Sequence, residues 1–216
     1  MLVDAAASFF TNTPQQGMLF QLRPTRAWLN QYEKEYLSEK NDWNKRIIKR
    51  EINAIRKALE SGQELTDPVA LGMDPQGTLR PVKTESGKTV TYTKPVLLLI
   101  NGQSCSGGDA FPAIMQDMGV ATLFGERTIG CGGSVRDQDV LNYSDLTVRF
   151  THSMMVRAKP VTLPDGTQTN YIENVGVIPD IPYEFSEKDF YNDYENYRQA
   201  VEKAVLDLIA KTPTNS

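Results

Sequence analysis

Lys94-Pro-Val-Leu-Leu-Leu-Ile-Asn-Gly-Gln-Ser-Cys-Ser-Gly-Gly-Asp-Ala-Phe111 decides how the rest of this chain is read. An apolar run over 96–100 ends in small and polar residues, and a helical period begins at once. Phe111, Ile114, Met115 and Met118 fall on one face of a helix expected over 109–118. A second apolar run follows at 120–124. Uninterrupted runs of this length suit a sheet covered on both faces, so the class is α/β, a buried sheet with flanking helices. A strand-to-helix turn of small residues can hold a serine hydroxyl in the open beside N–H groups that have no helical partner. Two serines compete for that place. Ser106 directly precedes the helix, where the Gly107 N–H would serve as an oxyanion donor. Glycine at 107 and 108 lets a carbonyl approach the backbone closely. Ser106 with Asp109 three residues on is equally an ordinary helix N-cap pattern. Cys105, with no base paired to it in sequence, reads as buried packing.

Upstream of this stretch the pattern is helical. Leu2, Val3, Ala6, Phe9 and Phe10 predict a first helix over about 2–10, with no capping residue before it. The start therefore reads as a helix cut mid-way. Residues 11–24 are rich in polar and turn residues and read as a connecting loop. A long helical region runs from about 25 to 61 with a break at Asn41-Asp42. Trp28, Leu29, Tyr32, Tyr36 and Leu37 form its first apolar stripe, and Ile48, Ile52, Ile55 and Leu59 the second. Lys34, Glu35, Lys45, Arg46, Lys49, Arg50 and Glu51 fall mostly off those stripes and read as a solvated face. Lys83 to Tyr92 predicts a hairpin turning at Ser86-Gly87.

Downstream, 146–154 alternates strictly, with Leu146, Val148, Phe150, His152 and Met154 on one face of a half-buried strand. Pro164-Asp165-Gly166 is a turn. A last helix is expected over about 193–211, burying Tyr197, Val201, Ala204, Val205 and Leu208.

Composition narrows the function. The 216 residues suffice for one core, and the net charge of −4 gives no electrostatic case for nucleic acid or an anionic membrane. The longest apolar run is far too short to span a bilayer. Two cysteines define no disulfide framework and leave the compartment open. With one histidine and two cysteines far apart in sequence, no metal site and no cofactor is implied.

Five motifs occur in order: Lys94-Pro-Val-Leu-Leu-Leu-Ile-Asn-Gly102, Ser104-x-Ser106-x-x-Asp109, Gln116-Asp-Met-Gly119, Gly125-Glu-Arg-Thr-x-Gly130 and Asn174-Val-Gly-Val-Ile-Pro-Asp180. Together they resemble the carboxyl-terminal processing, or tail-specific, serine peptidases. The resemblance covers about 94–183, and 1–93 match only loosely. It implies a spiral strand–helix core with the long helical region added. It also implies peptide-bond hydrolysis through an acyl-enzyme, a protein or peptide substrate, an extracytoplasmic or secreted setting, and Ser106 as nucleophile. On this reading 1–216 is the C-terminal part of a peptidase catalytic domain. Its parts are a helical and connector region (1–93), a motif-bearing core (94–183) and a C-terminal helix and tail (184–216).

The lysine-dependent branch of that family carries its base in a Gly-Lys-Gly motif, where this chain has Gly130-Cys131-Gly132. A desolvated amine can accept a serine proton near neutral pH; a buried thiol stays protonated. The remaining branch, which includes chlamydial protease-like activity factor and the tricorn core, uses serine, histidine and a downstream glutamate. The resemblance then points to Glu173 as the residue that orients the histidine, with Asp165 already explained as a turn. Arg157 and Lys159 match no catalytic position. His152 lies on an apolar strand face and reads as a core histidine, and the family's base lies upstream of the serine. A histidine from the protein's own N-terminal segment is therefore expected as a partner. Two other readings stay open: a non-catalytic relative that binds peptides or hydrophobic ligands, and a serine gated by oxidation of Cys105 or Cys131.

Overall fold

The computed structural model describes residues 2–72, 74–139 and 145–211. A short helix α1 (Leu2–Ala7) runs on through a 3-10 turn (Ser8–Phe10). The segment expected to be loop contains two strands, β1 (Gln15–Gln16) and β2 (Leu19–Leu22). The helical region then divides into α2 (Arg26–Ser38) and α3 (Asp42–Ser61). The break falls at Asn41, whose side chain accepts from the N–H groups of Trp43 and Asn44 and so caps α3. Gly62, at φ 68°, closes α3 in the left-handed conformation that glycine adopts without strain.

Short pairs follow: β3 (Thr78–Leu79) on β1, and β4 (Val82–Lys83) on β5 (Thr89–Val90), the hairpin turning at Gly87. The strand–helix alternation is β6 (Leu97–Ile100), α4 (Gly107–Met118) and β7 (Thr122–Gly125). β8 (Gly133–Asp139) and β9 (Thr147–Thr162) form a long antiparallel ribbon, and β10 (Gln168–Tyr171) returns along β9. The chain ends in β11 (Ile181–Pro182), α5 (Glu187–Tyr191) and α6 (Glu195–Lys211).

Two sheets organise the body. One is parallel, in the order β11-β7-β6. The other is antiparallel, in the order β10-β9-β2, with β8 also on β9. Helix α4 is sunk between them: Ala110, Ala113, Ile114 and Met115 are buried with Ile100 and Leu123 from the first sheet and Phe20 and Met155 from the second. A second core of Leu22, Tyr32, Ile52 and Ile55 ties the α2–α3 hairpin to β2. The mixed α/β class holds.

Several local expectations change. β6 is not sheltered on both faces: it ends its sheet, and Leu99 remains 47% exposed. β9 runs on well beyond 154, and toward its start Leu146, Val148 and Phe150 stay exposed, Phe150 resting its ring on Trp28, while His152 is buried. Glu51 is buried rather than solvated. In the last helix only Ala204 of the expected stripe is fully buried, while Tyr197 packs its ring on Phe124, Tyr183 and Phe185.

Candidate active site

The turn between β6 and α4 holds Ser106 at φ 56°, ψ −105°. A non-glycine residue there carries strain of about 1–3 kcal/mol, which the surrounding structure must impose. The N-cap alternative is not what forms: the Ser106 side chain makes no capping hydrogen bond, and the residue is exposed. The N–H groups of Gly108, Asp109 and Ala110 donate to Cys105 O (2.8 Å) and Ser106 O (3.0 and 2.9 Å). The first helical N–H, that of Gly107, is not among these donors. Ser104, the competing serine, uses its hydroxyl inside the turn, against Asn101.

The motif Gly125-Glu-Arg-Thr-x-Gly130 braces this turn. A side chain at Gly125, φ 125°, would run into Ile100 O, so β7 can lie against β6 here only with glycine. Glu126 accepts from Gly102 N (3.3 Å) and Phe185 N (3.2 Å), joining the turn to the C-terminal segment. Asp180 of the last motif accepts from Leu123 N (2.7 Å) and from Gln116 Nε2 (2.9 Å), fixing β7 to α4.

Asp109 is the residue that linear reasoning undervalued. It is fully buried at the first turn of α4, and its carboxylate accepts from Thr128 Oγ1, Gly130 N (3.0 Å) and Cys131 N (3.1 Å). Ser104 O accepts from Ile129 N (3.1 Å) in the same seam. The loop 129–132 is thereby held on the serine turn. The cue was present in the sequence, in Ser104-x-Ser106-x-x-Asp109 followed by Thr128, but it reads equally well as a helix cap.

Cys131 therefore arrives next to Cys105, and Cys105 is exposed rather than packed. The two sulfurs and an Asp109 carboxylate oxygen all lie within 4.8 Å of one another. Separation in sequence was thus a poor guide to separation in space. The Cys131 thiol is pushed up to about 11 by its hydrogen bond with Cys105, by burial, and by charge at Cys105, Asp109 and Glu173. It remains a neutral thiol at physiological pH and cannot take a serine proton as an amine could.

Glu173 approaches the same loop from the other direction. Side chains at Gly130 or Gly132 would collide with the backbone of 172–176, so these two glycines let that segment dock. Glu173 Oε1 accepts from Thr151 Oγ1 (2.9 Å), and Glu173 borders a cleft of about 670 Å3 that also has Arg23, His152, Ser153 and Asn174 in its walls. Ser106, Gly107 and Cys131 are assembled around one turn, with Glu173 against Gly132. No hydrogen bond joins Ser106 to Glu173 among the described residues. Asp165 accepts from Thr167 N in its own turn (2.9 Å), and Arg157 is buried in an ion pair with Asp117 (2.6 Å).

His152 lines the same cleft, but its ring is engaged by other groups. Its Nδ1 donates to Ser134 O (2.7 Å), so Nε2 accepts, receiving Arg136 Nε at 3.3 Å. The Tyr32 hydroxyl lies 2.8 Å from that Nε2 and donates to Glu51 Oε1 (3.0 Å). Burial holds His152 below the usual imidazole range and pushes Glu51 up to about 7.

The sequence matches the description "Peptidase family S41" over residues 23–183. The chain belongs to peptidase family S41. The match starts well ahead of Lys94 and takes in the α2–α3 hairpin, which the motifs alone had left outside. Among solved structures, mature CPAF complexed with lactacystin is 26% identical with a TM-score of 0.69, aligning 97% of this S41 chain with 42% of that one. A structure from Parabacteroides merdae, 17% identical with a TM-score of 0.57, shares the fold over 94% of this chain and 47% of its own. An uncharacterised protein of Chlamydia muridarum is 39% identical over 122 residues, 56% of this chain and 19% of that protein. A Chlamydia trachomatis protein is 36% identical over 122 residues, again 19% of its length. The S41 chain thus spans about a fifth of the length of these curated relatives. Among the described residues no helix is long and apolar enough to cross a membrane.

Proposed function

We propose that this S41 chain carries the nucleophile half of a serine endopeptidase site. Ser106 attacks the scissile carbonyl, the Gly107 N–H stabilises the oxyanion, and Glu173 orients a histidine base supplied from outside these 216 residues. The observation that carries the reading is the conformation of Ser106. A strained, exposed serine whose hydroxyl makes no capping bond, at a strand-to-helix turn, suits a nucleophile.

The choice of base rests on chemistry. Cys131 stands where a lysine would act, and its thiol keeps its proton. His152 has both ring nitrogens engaged in a buried cluster. A histidine brought to the open side of the serine turn would take the Ser106 proton and later return it to the leaving amine, with Glu173 fixing its tautomer. The substrate class is protein or peptide.

The test is fluorophosphonate labelling of the full-length protein. Ser106→Ala abolishes both the label and peptide cleavage; a variant that still labels and still cleaves refutes the assignment. Peptide binding that survives with no label on the wild type would instead favour a non-catalytic peptide binder. The isolated 216-residue chain turns over little or no peptide, and brisk turnover by it would remove the need for an outside base.

A further inference from the structure

We infer that Cys105 and Cys131 form a dithiol modification site, which a small disulfide oxidant of the glutathione type converts to an intramolecular disulfide. The inference concerns the thiols alone and does not rest on Ser106 being a nucleophile.

Four observations carry it. Both cysteines are free, and their sulfurs lie within 4.8 Å of one another in a group that includes Asp109. The backbones that bear them are already joined: Ser104 O accepts from Ile129 N, and Asp109 accepts from Gly130 N and Cys131 N. Bond formation, at a sulfur–sulfur distance of about 2.05 Å, therefore calls on side-chain rotation rather than on bringing two distant segments together. The thiols also differ in access, since Cys105 is exposed and Cys131 is half-buried. Finally, the carboxylate beside them is committed. Asp109 already accepts from Thr128, Gly130 and Cys131, so the cluster is better suited to sulfur–sulfur chemistry than to gripping a cation.

The exchange balances in two steps. Cys105 gives its proton to solvent base, and its thiolate attacks one sulfur of oxidised glutathione, forming a mixed disulfide and expelling one glutathione thiolate, which takes up a proton. Cys131 then gives its proton to solvent base and attacks the Cys105 sulfur, expelling the second glutathione thiolate. Two protein thiols are oxidised by two electrons, and one glutathione disulfide is reduced to two glutathione thiols. The high affinity of Cys131 for its proton disfavours it as first attacker, which agrees with Cys105 meeting the oxidant. Once the mixed disulfide exists, the second attack is intramolecular and gains the large effective concentration of a held neighbour. The product pins the residue before Ser106 to the loop 130–132.

Trypsin provides a clean readout, because Arg127 separates the two cysteines into peptides 89–127 and 128–136. The 216-residue chain is incubated with oxidised glutathione, blocked with N-ethylmaleimide and measured as intact protein and as digest. The expected product has lost two hydrogens, takes up no maleimide, yields the two peptides joined, and regains both thiols with dithiothreitol. Cys131→Ser instead stops with glutathione on Cys105. A wild-type chain that ends with glutathione on either cysteine, links only to a second chain, or keeps two blockable thiols under conditions that oxidise free dithiothreitol overturns the inference.

Discussion

The buried carboxylate of Asp109 receives the backbone N–H of Cys131 at 3.1 Å, and this one hydrogen bond crosses from the serine turn to the loop that follows β7. Thr128 and Gly130 reach the same carboxylate. Asp109→Ala leaves those donors unpaired in the interior, each at about 1–3 kcal/mol. We expect a loss of at least about 3 kcal/mol by urea unfolding, with Asp109→Asn, which keeps one acceptor oxygen, costing less. Equal stability of all three proteins would show that the seam is held by other means.

Gly132 and Gly62 make a matched pair. A methyl at Gly132 would collide with Glu173 N and Ile172, whereas at Gly62 it meets nothing within 4 Å. Gly62→Ala then costs only the left-handed conformation, about 1–2 kcal/mol. Gly132→Ala must move the segment bearing Glu173, and we expect it to lower the melting temperature further than Gly62→Ala does.

The strain at Ser106 gives a prediction of opposite sign. Ser106→Gly relaxes the positive φ and removes no capping bond, so the variant should gain roughly 1 kcal/mol over Ser106→Ala. Calorimetry of the two variants decides it, and no difference would mean that the turn tolerates this backbone without cost.

A pH effect arises away from the turn, where Tyr32, Glu35, Arg50 and Arg136 act on Glu51 and Tyr32 also meets His152. One phenolic proton cannot serve both Glu51 and His152, so the trio is complete only when it holds a further proton. Glu51 is raised from 4.5 to about 7 by burial, so the folded state binds its proton more tightly than the unfolded state. Its contribution is full below about 4.5 and fades as pH rises to about 7, worth on the order of 3 kcal/mol over that window. His152, held low, works in the opposite sense on the acid side: its contribution is present above about 6.5 and falls away as pH drops. The comparison is therefore with Glu51→Gln. Wild-type stability relative to that variant should fall across this window, and a flat difference would remove Glu51 from the account.

The motif-bearing stretch was legible because each of its signals is local. Two apolar runs, a turn of small residues and a helical period declare β6, α4, β7 and the turn between β6 and α4. Asn41 announced the break between α2 and α3 in the same way. What escaped depends on distant partners. Leu19–Leu22 looks like loop because its pairing with 153–156 lies far along the chain, and tertiary pairing overrides a turn-rich composition. Glu51 falls among charged neighbours and gives no sign that it will be buried against Tyr32. Cys105 and Cys131 show their proximity only after Asp109 has gathered the loop. The same limit applies to the site: Ser106 is marked by its own turn, whereas the surroundings of Glu173 are built from glycines forty residues earlier.

The double pairing of β2 has a consequence for the order in which the molecule can be made. One edge of this strand meets Val69, with Phe20 and Val69 exchanging backbone hydrogen bonds, while the other edge waits for Ser153–Val156. During synthesis the first contact becomes available once the α2–α3 hairpin has emerged. The second must wait until Ser153–Val156 have emerged, with Phe20 and Leu22 short of their final cover in the interval. Sheet closure is then a long-range event, and ribosome-bound intermediates that have not yet released Ser153–Val156 would present an open β edge to chaperones.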